Sequence, residues 1–296
     1  MNRLIFAIFA IFLFSCNQQQ KQPVNAEQWF CKTISDQPTD TIKDVQPHQR
    51  AVAYKDKFWP VGYRFKVGFI GGTASQKTFV KNTVSQWSQF ANLFFDFPAT
   101  GPFDIRVAFK SSDGAWSYVG TDNKTIPANQ PTMNLGWIGQ DVVLHEFGHA
   151  IGLLHEHQNP TTPIKWNEAA VIKDLSGPPN NWTEEMIRYN VLNPYPLPNV
   201  ITTALDKQSV MMYPIPATWT LDGFTTPGGA QISDVDAKFV SDKYPFSKPP
   251  TNGEVTLRRG QIDTLLQQVD RTLQAFDSAS FQVKKMADLA KLTFGK

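Results

Sequence analysis

The chain has 296 residues, 18% of them charged, with a formal net charge of +2 and two cysteines. A near-neutral balance excludes a basic nucleic-acid footprint and a strongly acidic partner. Forty-one per cent hydrophobic residues with 21 prolines and 18 glycines exclude disorder and indicate one loop-rich globular domain. The length needs no disulfide staples.

Met1-Asn2-Arg3 and the apolar run from Leu4 to Phe14 have the pattern of a secretory signal, too short to span a bilayer. The sequence Leu13-Phe14-Ser15-Cys16 resembles the lipobox of bacterial lipoproteins. That resemblance implies a signal peptide over 1–15, lipidation of Cys16, export, and a lipid-anchored place on the bacterial cell envelope (outer membrane or cell surface), with release into the medium as the other fate. Residues 16–50 are polar and Gln-rich without sustained periodicity and read as a tether.

Phe65, Val67 and Phe69 alternate with Arg64, Lys66 and Gly68, a period of two that predicts a half-buried strand ended by Gly71-Gly72. From Ser75 to Ala91, Val80, Val84, Trp87 and Ala91 recur at helical spacing, predicting one amphipathic helix. Ile105, Val107 and Phe109 predict a second strand, and Trp116 to Gly120 a third. Strands with intervening helices imply a mixed α and β layer.

Four of the five histidines then fall in His145-Glu146-Phe147-Gly148-His149-Ala150-Ile151-Gly152-Leu153-Leu154-His155-Glu156-His157. On a helix His145 and His149 stand one turn apart on the same face and can hold one metal ion. Glu146 sits beside the metal, where a general base is needed. Gly152 accepts a positive φ, so it can end the helix and bring His155 back as third ligand. Leu144, Phe147 and Ile151 on the opposite face are expected to pack on the sheet. A lone HExxH is only moderately specific; the extended string is far more so. His157 reads as a surface or supporting residue, since three imidazoles plus a water complete a catalytic zinc site. A closed structural site would instead use His157 as a fourth protein ligand.

Residues 166–244 are rich in Pro, Gly and Asn, with short helical pieces over 168–174 and 184–191. Ser233-Asp234-Val235-Asp236 predicts a capping box for a last helix ending at Tyr244-Pro245. A linker follows from Phe246 to Gly253. Beyond it Ile262, Leu265, Leu266, Val269, Leu273 and Phe276 mark an amphipathic helix, so 247–296 reads as linker and helical tail.

The histidine string together with Ser209-Val210-Met211-Met212-Tyr213 resembles the metzincin peptidases, and Glu156 directly after the third histidine resembles their astacin subgroup. The resemblance spans 51–245, with weaker matches at Phe58-Trp59-Pro60, Gly114–Gly120, Asn134-Leu135-Gly136 and the last helix. It implies an α+β zincin fold: a twisted mixed sheet, an active-site helix above the cleft and a loop-rich lower subdomain, here a catalytic domain over 51–246. It also implies one catalytic Zn²⁺ on His145, His149 and His155, with Glu146 and Tyr213 catalytic and Met211 an apolar floor under the metal. Gly152 and Glu156 are then structural.

The activity implied is a metalloendopeptidase acting on proteins or peptides, which add to the sheet edge near Trp116–Gly120 as an extra strand. A lipid-anchored zincin-fold binding protein without turnover is the other reading of the same residues. Three departures stand out. Ala115 occupies a position where the family has cysteine, and no cysteine follows Cys31. His157-Gln158-Asn159-Pro160 replaces an arginine-bearing continuation. An acylated Cys16 is at odds with Glu156 meeting a new N-terminus. The surroundings of Cys31, Trp29 to Asp36, do not match the matrixin cysteine-switch pattern, so an inhibitory thiolate that caps the zinc until cleavage is the lesser reading and the role of Cys31 stays open.

Overall fold

The computed structural model describes residues 30–34, 51–202 and 204–246. The expected signal peptide, Cys16 and the expected 247–296 tail therefore lie outside the described residues, as does most of the 16–50 segment. Among the described residues the strands are β1 (Lys32–Ile34), β2 (Ala53–Tyr54), β3 (Arg64–Ile70), β4 (Phe94–Asp96), β5 (Ile105–Ala108), β6 (Ala115–Tyr118), β7 (Met133–Leu135), β8 (Val200–Ile201), β9 (Pro214–Ile215) and β10 (Thr226–Pro227). The helices are α1 (Ala74–Val84), α2 (Trp87–Phe90), α3 (Gln140–Ala150), α4 (Glu168–Ser176), α5 (Glu184–Ile187) and α6 (Asp234–Lys243).

Six strands make one mixed sheet in the order β1-β6-β7-β5-β3-β4. β3 pairs in parallel with β4 and β5, and β5 in parallel with β7, while β6 runs antiparallel to β7. The alternation of β3 is real: Phe65 and Val67 are buried while Arg64 and Lys66 are exposed. Val80 and Val84 of α1 share the main core with Leu144 and Phe147 of α3 and with Ile151 just after it, so the predicted packing face of the histidine helix is buried. A burial this complete stabilises each large side chain by about 1.5–3 kcal/mol.

The single helix expected over 75–91 is two. Thr73 caps α1 with a capping box to Gln76, and the Ser85 hydroxyl then donates to the Asn82 carbonyl at 2.6 Å. A serine that bonds back to its own turn competes with the helix ladder, and the chain re-enters at α2 with Trp87 Nε1 donating to the Leu144 carbonyl at 3.1 Å. The break lets the indole clasp the histidine helix. The short strands β4 and β7 carry too few residues to show a period and were not legible.

The 16–50 segment is not a plain tether, because Lys32–Ile34 forms β1 and pairs in parallel with β6, Lys32 opposite Trp116 and Ile34 opposite Tyr118. The sheet edge expected to receive substrate is occupied by this chain's own N-terminal segment.

The lower half gathers around a second apolar cluster built on α4, α5 and the 212–219 region. The last helix, α6, buries Phe239 and Val240 in the main core and starts at the predicted box: Ser233 accepts from the Asp236 amide and Asp236 from the Ser233 amide.

Candidate active site

α3 enters the core so completely that every residue from Val142 to Ala150 is buried. It ends at Gly152, whose φ of +110° lies where an L side chain is strained, and where an added Cβ would come to 3.2 Å from the Phe58 ring. The chain turns there, with the Gly152 and Leu153 amides donating to His149 and Gly148 carbonyls. His155 is delivered to the end of the helix, its ring centroid 4.7 Å from that of His149 and 5.3 Å from that of His145.

Each ring is oriented by its far nitrogen. His145 Nδ1 donates to the Val210 carbonyl at 2.7 Å, His149 Nδ1 to the Leu153 carbonyl at 2.9 Å, and His155 Nδ1 to Gln158 Oε1 at 3.3 Å. Carbonyl acceptors place the proton on Nδ1 and leave Nε2 a bare lone pair. Yet the Nε2 atoms of His149 and His155 face each other at 3.2 Å, and the buried His145 Nε2 has no hydrogen-bond partner. Nitrogens gathered this closely can hold one metal ion between them.

The fourth corner comes from Cys31. Cys31 Sγ lies 3.7 Å from His149 Nε2 and 3.8 Å from His155 Nε2, and the four ligand atoms all lie within 4.8 Å of one another. Tetrahedral zinc with Zn–N of about 2.05 Å and Zn–S of about 2.3 Å separates two nitrogens by roughly 3.3 Å and nitrogen from sulfur by roughly 3.6 Å. The donor types suit Zn²⁺, and the separations among His149, His155 and Cys31 match that geometry. Cys31, whose role its flanking residues left open, belongs to this donor set. Its neighbours do not resemble the matrixin pattern because a different framework, the β1–β6 pairing, brings it there.

Burial drives His145 down to about 4, and His149 and His155 well below the usual imidazole value, keeping them neutral for coordination. Glu146 is fully buried, and neither of its oxygens has a hydrogen-bond partner. Burial pushes its carboxyl well above the usual range, partly offset by the nearby Cys31 thiol. A cation alongside would restore its anionic form.

Met211 lies beneath the centre with its sulfur against α3: a Cβ on Gly148 would come within 2.5 Å of Met211 Sδ. Gly148 is thus part of the site, although its position between two motif residues carried no signal of that role. The turn is pinned by Asp236, whose carboxylate accepts from Ser209 Oγ at 2.7 Å and from the Val210 amide at 2.9 Å. Glu156 is buried, accepts from the Asp206 amide at 2.9 Å, and is raised to about 8 chiefly by burial. The Glu156 amide donates to the Met211 carbonyl at 3.0 Å, tying the third-histidine turn to the methionine turn.

Tyr213 reaches the site with its ring 4.5 Å from His155, and its hydroxyl donates to the Cys31 carbonyl. His157 is not at the surface. It is 2% exposed, donates from Nε2 to the Asn190 carbonyl at 2.9 Å, and its ring lies 4.2 Å from that of Tyr213. It supports the tyrosine rather than the metal. A cleft of about 360 Å³ is lined by His145, Glu146, Trp137, Pro214 and Gly228 together with Phe30 and Cys31.

A family model described as Astacin, a family of peptidases, matches residues 51–173. A solved structure of myroilysin is 35% identical with a TM-score of 0.64, covering 67% of this chain and 100% of that one. A second myroilysin crystal structure is 32% identical with a TM-score of 0.52, covering 75% of this chain and 93% of that one. Blastula protease 10 of Paracentrotus lividus is 29% identical over 120 residues, 38% of this chain and 19% of its own length, so the chain spans about a fifth of that relative. With the zinc-binding donor set, the methionine turn and this likeness over the whole of a solved relative, the chain belongs to the astacin family of zinc metalloendopeptidases.

Proposed function

We propose that this protein hydrolyses peptide bonds in extended polypeptides at the centre formed by His145, His149 and His155, and that Cys31 holds it latent. The observation that carries the assignment is the convergence of His145, His149 and His155 ring nitrogens beside the fully buried carboxyl of Glu146. Zinc, when bound, supplies the Lewis acidity that polarises a peptide carbonyl and acidifies a water.

The remaining roles fall to the chain. Glu146 takes the proton of the attacking water and returns it to the departing amine nitrogen. The Tyr213 hydroxyl, which now donates to the Cys31 carbonyl, donates to the substrate's carbonyl oxygen as negative charge grows there. The free edge of β6 pairs with the substrate backbone once β1 has left it. Met211 and Gly148 hold the histidine helix at its distance from the turn.

Four protein donors also describe a structural zinc site, and Cys31 favours that second reading to this extent. It leaves unexplained the burial of Glu146, which costs stability and ligates nothing. Glu146→Gln separates the two: the variant retains one zinc while hydrolysis of a peptide mixture by the Cys31→Ala form falls by about 10²–10⁴-fold. Undiminished hydrolysis would remove Glu146 from the mechanism. Export and lipid anchoring through Cys16 belong to the same proposal, supported by the apolar run before it; mass spectrometry of the N-terminal peptide tests them, and an unacylated Cys16 in a secreting bacterial host excludes the anchor.

A further inference from the structure

Phe30, immediately before Cys31, is 7% exposed. Its ring lies 5.3 Å from that of Tyr213 and 5.2 Å from that of Trp219, and its amide donates to Asn180 Oδ1 at 3.0 Å. Val171, Leu175, Met212 and Ile215 belong to the same apolar cluster. The indole nitrogen of Trp219 donates to Asp174 at 2.7 Å, which anchors the ring that forms the recess wall. Hence an aromatic side chain occupies an apolar recess one residue from the metal donors.

We propose that this recess is the specificity pocket for the first residue after the scissile bond, and that it selects large aromatic and apolar side chains. The inference rests on the peptidase reading above and adds the substrate class. The direction follows from strand polarity. β1 leaves Cys31 along Trp116 to Tyr118 in parallel with β6, so Phe30 lies beyond the metal from the β6 edge. A substrate pairing antiparallel, the more stable ladder, runs the other way: its residues before the bond lie along Tyr118 to Trp116, and the residue after it enters the Phe30 recess. The reversed polarity of β1 also lets the segment fill the cleft without presenting a peptide bond in the orientation of a substrate.

The test is a cleavage-site profile of the full-length Cys31→Ala protein and of the Phe30→Ala/Cys31→Ala protein, each zinc-loaded, on a peptide library carrying every residue at every position. Phe, Tyr, Leu and Met at the first position after the cut are expected to exceed Asp, Lys and Gly by at least about tenfold, the scale on which an apolar pocket discriminates. Trp219→Ala in the same background is expected to flatten that position alone. Should the double variant not fold, Cys31→Ala by itself reports the ranking, because Phe30 then competes equally with every peptide. Cleavage without that enrichment, or with it only before the cut, overturns the inference while leaving the peptidase assignment standing. A folded, zinc-loaded Cys31→Ala protein that cuts nothing overturns both.

Discussion

Cys31→Ala removes one sulfur from the metal and leaves the rest of the N-terminal segment able to bind. Ordering the five residues from Phe30 to Ile34 costs about 5–10 kcal/mol of backbone entropy at roughly 1–2 kcal/mol each. Against it stand the burial of Phe30, about 1.5–3 kcal/mol, and the backbone pairing with β6 through three register pairs. The bonds to Asn180 and Tyr213 add to these, at about 0.5–1.5 kcal/mol per hydrogen bond. Those contributions total roughly 4–10 kcal/mol, so without sulfur the segment is near balance between seated and released. Sharing an apparent zinc-binding free energy of about 10–16 kcal/mol among four ligands gives roughly 3 kcal/mol for the thiolate. At 1.36 kcal/mol per tenfold, peptidase activity of the full-length Cys31→Ala protein is expected to exceed wild type on the order of a hundredfold. Hydrolysis of a quenched fluorescent peptide measures this, and the cobalt-substituted wild type is expected to show a sulfur-to-cobalt charge-transfer band absent from the variant. A zinc-loaded Cys31→Ala protein no more active than wild type, with the band absent from both, would refute the assignment of Cys31 to the metal.

Three further outcomes are expected. Tyr213→Phe, in the Cys31→Ala background, keeps its zinc and loses about 10²–10³-fold in kcat, the cost of removing one oxyanion donor; an unchanged kcat would leave the tyrosine structural. Gly148→Ala forces Met211 from its place and destabilises the fold by about 1–3 kcal/mol through overpacking, read as a fall in Tm, and an unshifted Tm would show that Met211 yields freely. His157, driven to about 3 by burial from the usual 6.5, stays neutral in the fold while the unfolded chain takes up a proton. The unfolded state binds more protons below pH 6.5, so His157 lowers stability as pH falls from 6.5 toward 3. His157→Phe is expected to flatten that slope in chelator-treated protein followed by thermal unfolding, and an unaltered slope would show that the ring is protonated in the fold.

Much of the centre was legible in the chain because its chemistry is local. The i, i+4 spacing of His145 and His149, the carboxyl of Glu146 next to the first, and a glycine three residues after the second are consequences of helix geometry. So are the alternation of β3 and the capping box at Ser233. The parts that went unread are those where distant segments meet. Gly148 matters only because Met211 packs on it, 63 positions later. His157 belongs beside Tyr213 because the 188–192 turn supplies the Asn190 carbonyl. The role of Cys31 stayed open, since nothing within a few residues of it distinguishes a thiol aimed at metal from one in a tether.

By itself, then, the sequence pointed to a metal and to three histidines that the structure gathers on α3 and just after it, because helical period and side-chain chemistry are carried by neighbouring residues, while the family came from the resemblance of two motifs. Only the tertiary structure decided that Cys31 shares the site, that β1 covers the substrate edge and that Phe30 fills an aromatic recess. Those facts depend on pairing across more than eighty residues, Lys32 with Trp116, and backbone hydrogen bonds between strands leave no mark on the side-chain pattern of either.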